Sequence, residues 1–86
     1  WWNDEGLKAL SARVVTAAPN DGAANTMRAM VLRGGSDTWE AGPRSAAEFM
    51  EAAAHYEQAA ALRNAPTVKA QLARMAILSR IQAAAM

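Results

Sequence analysis

The chain contains no cysteine. That removes disulfides and thiolate chemistry, and with them the small secreted module stapled by bridges. It contains one His, too few for a histidine-rich metal centre. Aromatic residues are sparse, at three Trp, one Tyr and one Phe in 86 residues, so large side chains supply little of the core. No apolar run approaches the roughly 18 residues of a membrane span. Asp and Glu are missing from residues 58–86, which hold Arg63, Lys69, Arg74 and Arg80. The opening Trp1-Trp2-Asn3-Asp4-Glu5 has neither a basic start nor an apolar stretch, so no secretory leader is expected there. A start on Trp reads as a processed product, an excerpt or the visible part of something longer. The compartment stays open, with an intracellular or organellar setting preferred to a secreted one.

Ala dominates what is present, with Leu, Met, Glu, Gln, Arg and Lys around it. These are the strongest helix formers, and no window alternates as a half-buried strand does. The pattern predicts one all-α domain over residues 1–86, with four helices near 4–18, 22–33, 45–64 and 67–85 and a loop at 34–44. Asn3 caps the first helix, whose stripe is Leu7, Leu10, Val14 and Ala17; Pro19 ends it. Asp21 caps the second, with Ala23, Met27, Met30 and Val31 inward and Gly34-Gly35 as the stop. Ser45 and Glu48 have capping-box spacing at the third. Phe49, Ala52, Ala53, Tyr56, Ala59, Ala60 and Leu62 line its apolar side, with Glu48, Glu51, Glu57 and Arg63 in water. The fourth carries Val68, Leu72, Met75, Ala76 and Leu78, widened by Ile77 and Ile81. So broad an apolar surface predicts neighbours on two sides. A core this rich in Ala buries little area per residue, which predicts an isolated chain of marginal stability.

Sliding the chain by about 47 positions superimposes two segments of helix, proline, helix. Ala12, Val15, Ala18 and Pro19 fall on Ala59, Leu62, Ala65 and Pro66. Ala23, Ala29, Met30, Val31 and Arg33 fall on Ala70, Ala76, Ile77, Leu78 and Arg80. The segment Ala52-Ala-Ala-His-Tyr56-Glu-Gln-Ala59-Ala-Ala-Leu62 resembles the second helix of a tetratricopeptide repeat: a small residue, an aromatic four on, Ala three on, then Leu, then a nearby Pro. Relatives of the soluble NSF attachment proteins look similar at such a helix. The resemblance covers residues 45–66. Elsewhere it keeps only the small residue Ala29, and the glycine-rich loop replaces a tight turn. It implies two antiparallel helical hairpins stacked side by side, serving as a non-catalytic protein–protein interaction scaffold or accessory subunit of a larger assembly.

Signals for chemistry are weak. Glu51 and His55 share a helix face and could share a metal or a proton, but two ligands make no site; a solvated or interfacial His55 is the simpler reading. Gly34-Gly35-Ser36 follows a helix rather than a strand and lacks the Lys of a phosphate loop, so it reads as a helix stop. Tyr56, Phe49 and the Met residues could line a ligand pocket, although a hairpin core needs the same residues. Trp39 either folds back over the hairpin or anchors a partner. No catalytic, cofactor or metal residue is assigned. The expected partner-binding residues are Trp1, Trp2, Trp39, Arg74, Leu78, Arg80 and Ile81, and the expected partners are other protein chains of a complex. Four late cations without interleaved aromatics give no nucleic-acid expectation. The rival reading is a small membrane-surface or pigment- or ligand-associated subunit, peripheral to the bilayer through the basic last helix.

Overall fold

A computed structural model of the chain describes residues 3–34, 39 and 41–86. Four helices form it: α1 (Asp4–Ala17), α2 (Gly22–Arg33), α3 (Ala46–Ala61) and α4 (Pro66–Ala84). Local chemistry sets most of the ends. The Asn3 side chain accepts the Gly6 amide at 2.7 Å, and Asp4 and Glu5 lie in the first turn of α1, where carboxylates meet the positive end of the helix dipole. Asp21 accepts the Ala24 amide at 2.9 Å. Ser45 and Glu48 form the reciprocal capping box, at 3.1 and 2.9 Å.

α1 and α4 each end one residue early, and the two ends around Pro66 also differ from the sequence expectation. α3 stops at Ala61, three residues before the expected Asn64. The residue preceding a proline is pushed out of helical geometry, and Ala65 is extended at ψ 122; the chain leaves the helix in advance. Pro66 itself is the first residue of α4, a position whose amide would be unpaired in any case.

Each helix packs on the next in sequence, and side-chain bonds fix the directions. Arg28 reaches back to the Lys8 carbonyl, and Asn25 and Arg28 on α2 meet His55 and Glu51 on α3. Ser79 and Lys69 on α4 meet the Phe49 and Ala60 carbonyls on α3. Neighbours therefore run antiparallel, giving two hairpins with α2 laid on α3. The Cα radius of gyration is 12.3 Å, close to the roughly 12 Å of a compact chain this long; neither end helix splays away.

Ala29, Leu32, Ala52, Ala53, Tyr56, Ala59, Leu72 and Ala76 form the core, with Ala60, Val68 and Met75 packed on it. Its alanines let helix axes approach to the short end of the usual range. The three fully buried polar side chains among the described residues all find partners, as burial demands, whereas Arg44 Nε and Arg63 Nε are enclosed without one. Ser11 donates to the Lys8 carbonyl and accepts from Arg28; Asn25 donates to the Pro19 and Asp21 carbonyls; Ser79 donates to the Phe49 carbonyl at 2.6 Å.

The expected stripes are rotated on the first hairpin. On α1 only Ser11 is buried; Leu7, Leu10 and Val14 are half-covered and Ala17 is exposed. α1 is an outer helix touching α2 along a narrow seam, where a small side chain is the one enclosed. On α2 Ala23 is exposed and Met30 is 47% exposed, whereas Ala24, Asn25, Ala29, Val31 and Leu32 are buried. Glu48 is half-covered by Lys8 rather than free in water, and Arg63 lies across the start of α2 beside Gly22.

Gly34 ends α2 with φ 69, the left-handed geometry that an L side chain resists. A Cβ there would lie 3.1 Å from Ala41 Cβ and from Arg44 Nε. Gly34→Ala is expected to cost about 1 kcal/mol or more, read as a lowered denaturation midpoint at unchanged m-value.

Candidate docking surface

α4 has no continuous polar side: Thr67, Gln71, Arg74 and Gln82 are exposed, interspersed with apolar residues. Leu72, Ala76, Ser79 and Ala83 pack inward. On the opposite side Ile77 and Ile81 are each 58% exposed and Leu78 is 38% exposed. The helix period puts these within one turn of each other, with Arg74 on the same side. Of the expected docking residues, then, Arg74, Leu78 and Ile81 are brought together. Arg80 lies to the flank and is engaged by Glu57 of α3. Trp39 stands apart from them, half-buried against the start of α1. Its indole N–H donates to Asp4 Oδ1 at 2.9 Å. Trp39 itself is therefore turned back onto α1. Trp1 and Trp2 lie outside the described residues.

Beside the α4 face runs a groove of about 480 Å³ between α2 and α4. Met30 and Arg33 form one wall, Leu72, Arg74 and Met75 the other, and Tyr56 of α3 the floor. α2 and α4, each antiparallel to α3, run parallel here. Arg33 Nε donates to Gln82 Oε1 at 2.9 Å, and Arg33 Nη1 lies 3.5 Å from Met75 Sδ. No carboxylate lines the groove among the described residues. Tyr56 is only 2% exposed. Its hydroxyl makes no hydrogen bond among the described residues, yet is not sealed from solvent.

The groove brings together residues the sequence left in the core. Met30 was placed inward and Phe49 beside Tyr56 in a possible pocket; Met30 is a wall and Phe49 is outside the lining. Tyr56 serves both readings, with its ring in the core and its hydroxyl at the groove floor. No local signal marks Arg33 and Arg74 as neighbours of one cavity, because they lie on different hairpins.

The Glu51–His55 pair is spoken for by other contacts. Both Asn25 Nδ2 hydrogens go to backbone carbonyls, which turns Asn25 Oδ1 toward His55 Nδ1 at 2.9 Å. The Nδ1–H of His55 donates there. Nε2 faces Glu51 at 3.4 Å, and Glu51 also holds Arg28 at 3.3 Å. The chain Asn25–His55–Glu51–Arg28–Ser11 ties three helices together. Among the described residues no three metal-ligating side chains converge.

At the opposite end, Asp4 gathers the loop before α3. Its carboxylate accepts from Arg44 Nη1 at 2.8 Å, from Trp39 and from the Gly42 amide at 3.2 Å. Arg44 also donates to the Val31 carbonyl at 2.9 Å. The Arg44 hydrogen bonds hold the Asp4 carboxyl well below the usual carboxylate range, against the opposing effect of burial; the Trp39 and Gly42 bonds add to them. The same pair raises the Arg44 guanidinium. Glu48 is lowered by its bond from Lys8, then by the Ser45 amide.

No protein-family model matches this chain, and neither a curated protein nor a solved structure matches it.

Proposed function

We propose that the chain is a non-catalytic interaction module that docks another protein chain on the outer face of α4. The observation that carries this is the clustering of Ile77, Leu78 and Ile81 on the side of α4 facing away from α3. A helix apolar on both sides suits coverage from both sides. An interfacial membrane helix needs one apolar and one polar face, which favours a protein over a bilayer as the cover. Since α4 carries no Asp or Glu, pairing it with a second α4 would set cation against cation, so a partner bringing its own acids fits better.

Burial supports reading the two hairpins as related units. At the offset of about 47, Ala29 and Ala76 are both buried, as are Leu32 and Ser79, and Asn25 and Leu72. Val31 is 4% exposed where Leu78 is 38% exposed, the difference expected if α4 lacks the cover that the rest of the fold gives α2. A stacked helical-hairpin scaffold of the tetratricopeptide kind exposes just such an end face to the next unit.

The test is cross-linking and co-purification from the source cells, followed by binding measurements on the recovered partner. Leu78→Asp with Ile81→Asp is expected to abolish binding, with the far-ultraviolet circular dichroism unchanged because both positions face out. Arg74→Ala should chiefly slow association at low salt, since rim charges act on the on-rate. A partner retained by the double aspartate variant would sink the proposal.

A further inference from the structure

We infer that the groove between α2 and α4 is a second binding site, adjoining the outer α4 face at Arg74, that takes an apolar segment of a partner polypeptide carrying a carboxylate. The inference rests on the reading of α4 as a docking helix and adds a site on its other flank.

Three independent features meet in the groove. The first is charge. Arg33 and Arg74 stand on facing walls, and no Asp or Glu lines the cavity among the described residues. Arg74 makes no ion pair among the described residues, and Arg33 spends Nε and Nη1 on Gln82 and on a weak thioether acceptor. A guanidinium with free donors matches a carboxylate bidentately.

The second is the floor. Tyr56 is buried to 2% exposure, lines the cavity and leaves its hydroxyl without a protein partner among the described residues. The hydroxyl is open to the groove rather than sealed, so a docking carboxylate or peptide carbonyl would take the place of water as its acceptor.

The third is the lining. Met30 lines the α2 wall of the cavity, and Met75 and Leu72 line the α4 wall. Flexible thioethers adapt to varied apolar side chains and recur on surfaces that bind polypeptide segments. The volume, about 480 Å³, falls in the range of built ligand sites. Together these specify alternating acidic and apolar side chains: apolar ones against the methionines, acidic ones toward the two arginines.

The probes are a fluorescein-labelled octapeptide of alternating glutamate and leucine, and the same peptide with glutamine for glutamate. The 86-residue chain is titrated into each and followed by fluorescence anisotropy, with methyl carbon–proton spectra of the protein in parallel. The glutamate peptide is expected to bind at least about tenfold more tightly than the glutamine peptide, the scale of a charge-assisted bidentate contact. Binding should weaken with salt and shift the Met30 and Met75 methyl resonances. Arg74→Gln is expected to remove most of the discrimination between the peptides. Tyr56→Phe keeps the ring in the core and is expected to weaken the glutamate peptide about threefold or more, the loss of one hydrogen bond.

Equal affinity for the two peptides, unmoved Met30 and Met75 resonances, or full discrimination retained in Arg74→Gln each overturn the inference. No saturable binding by either peptide overturns it as well. If the groove ignores both peptides while Leu78→Asp with Ile81→Asp still abolishes partner docking, the groove inference fails alone and the α4 proposal stands.

Discussion

Asp4→Ala is expected to destabilise the chain by about 3–4 kcal/mol, the scale of breaking a buried ion pair from one side. Arg44 is the reason. Its side chain is 4% exposed, and without Asp4 its charge keeps backbone carbonyls and only the longer-range attraction of Glu48 and Glu5. The Trp39 indole and the Gly42 amide lose an acceptor in the same step. For a domain of this size the loss approaches the whole stability, so the circular dichroism midpoint should fall into or below the ambient range. Asp4→Asn keeps an acceptor for Trp39 and Gly42 and should cost less, about 1–2 kcal/mol. A change under about 0.5 kcal/mol for Asp4→Ala would show that the Asp4–Arg44 pair contributes no net stability.

The same pair sets the acid limb of stability. Asp4 and Glu48 both titrate below their ordinary range when folded, so the folded chain binds fewer protons than the unfolded one at acid pH. Their contribution is complete above about pH 5, beyond the unfolded carboxyl value of about 4, and is lost progressively as pH falls below that. Denaturation midpoints measured from pH 7 to pH 2 should therefore decline on the acid side, and Asp4→Asn should flatten that decline.

Helix starts were legible because they depend on residues three positions apart. Asn3 with Gly6, Asp21 with Ala24 and Ser45 with Glu48 each form the cap their sequence spells. The α2 stop at Gly34 is legible for the same reason. The wide apolar surface of α4 was legible too, since both faces of one helix can be counted from its own residues. Rotation of the first hairpin was not. Whether Ala23 or Ala24 points inward depends on where α3 lies, and two small residues give the pattern no contrast. The Asp4–Arg44 cluster joins residues 40 apart and leaves no local trace; Asp4 alone reads as a first-turn carboxylate. The groove eluded the sequence on similar grounds. Met30 and Met75 belong to separate hairpins, and a methionine on an apolar stripe looks the same whether it fills a core or edges a cavity. Arg80 shows the limit of charge counting: it belongs to the basic end of the chain, yet Glu57 holds it. Arg74 is the cation left at the docking face.

Ala59→Leu is expected to cost about 1–3 kcal/mol through overpacking. Ala59 is fully buried in the core cluster that α3 shares with Leu72 and Ala76 of α4. Three further methylene-sized groups have nowhere to go there, because the interface is built on small side chains at short helix spacing. Relief requires a neighbouring helix, α2 or α4, to move outward. Movement of α4 would strain contacts along its interface, including the Ser79 bond to the Phe49 carbonyl at 2.6 Å and the Lys69 bond to the Ala60 carbonyl at 3.0 Å. Ala61→Leu supplies the control. It lies on the same helix, two residues on, but is exposed, so it should stay within about 0.5 kcal/mol of the parent. Urea denaturation of the three proteins compares them directly. If Ala59→Leu matches Ala61→Leu, then Ala59 does not set the spacing of α3 and α4, and the close-packed hairpin on which the α4 docking face rests is wrong.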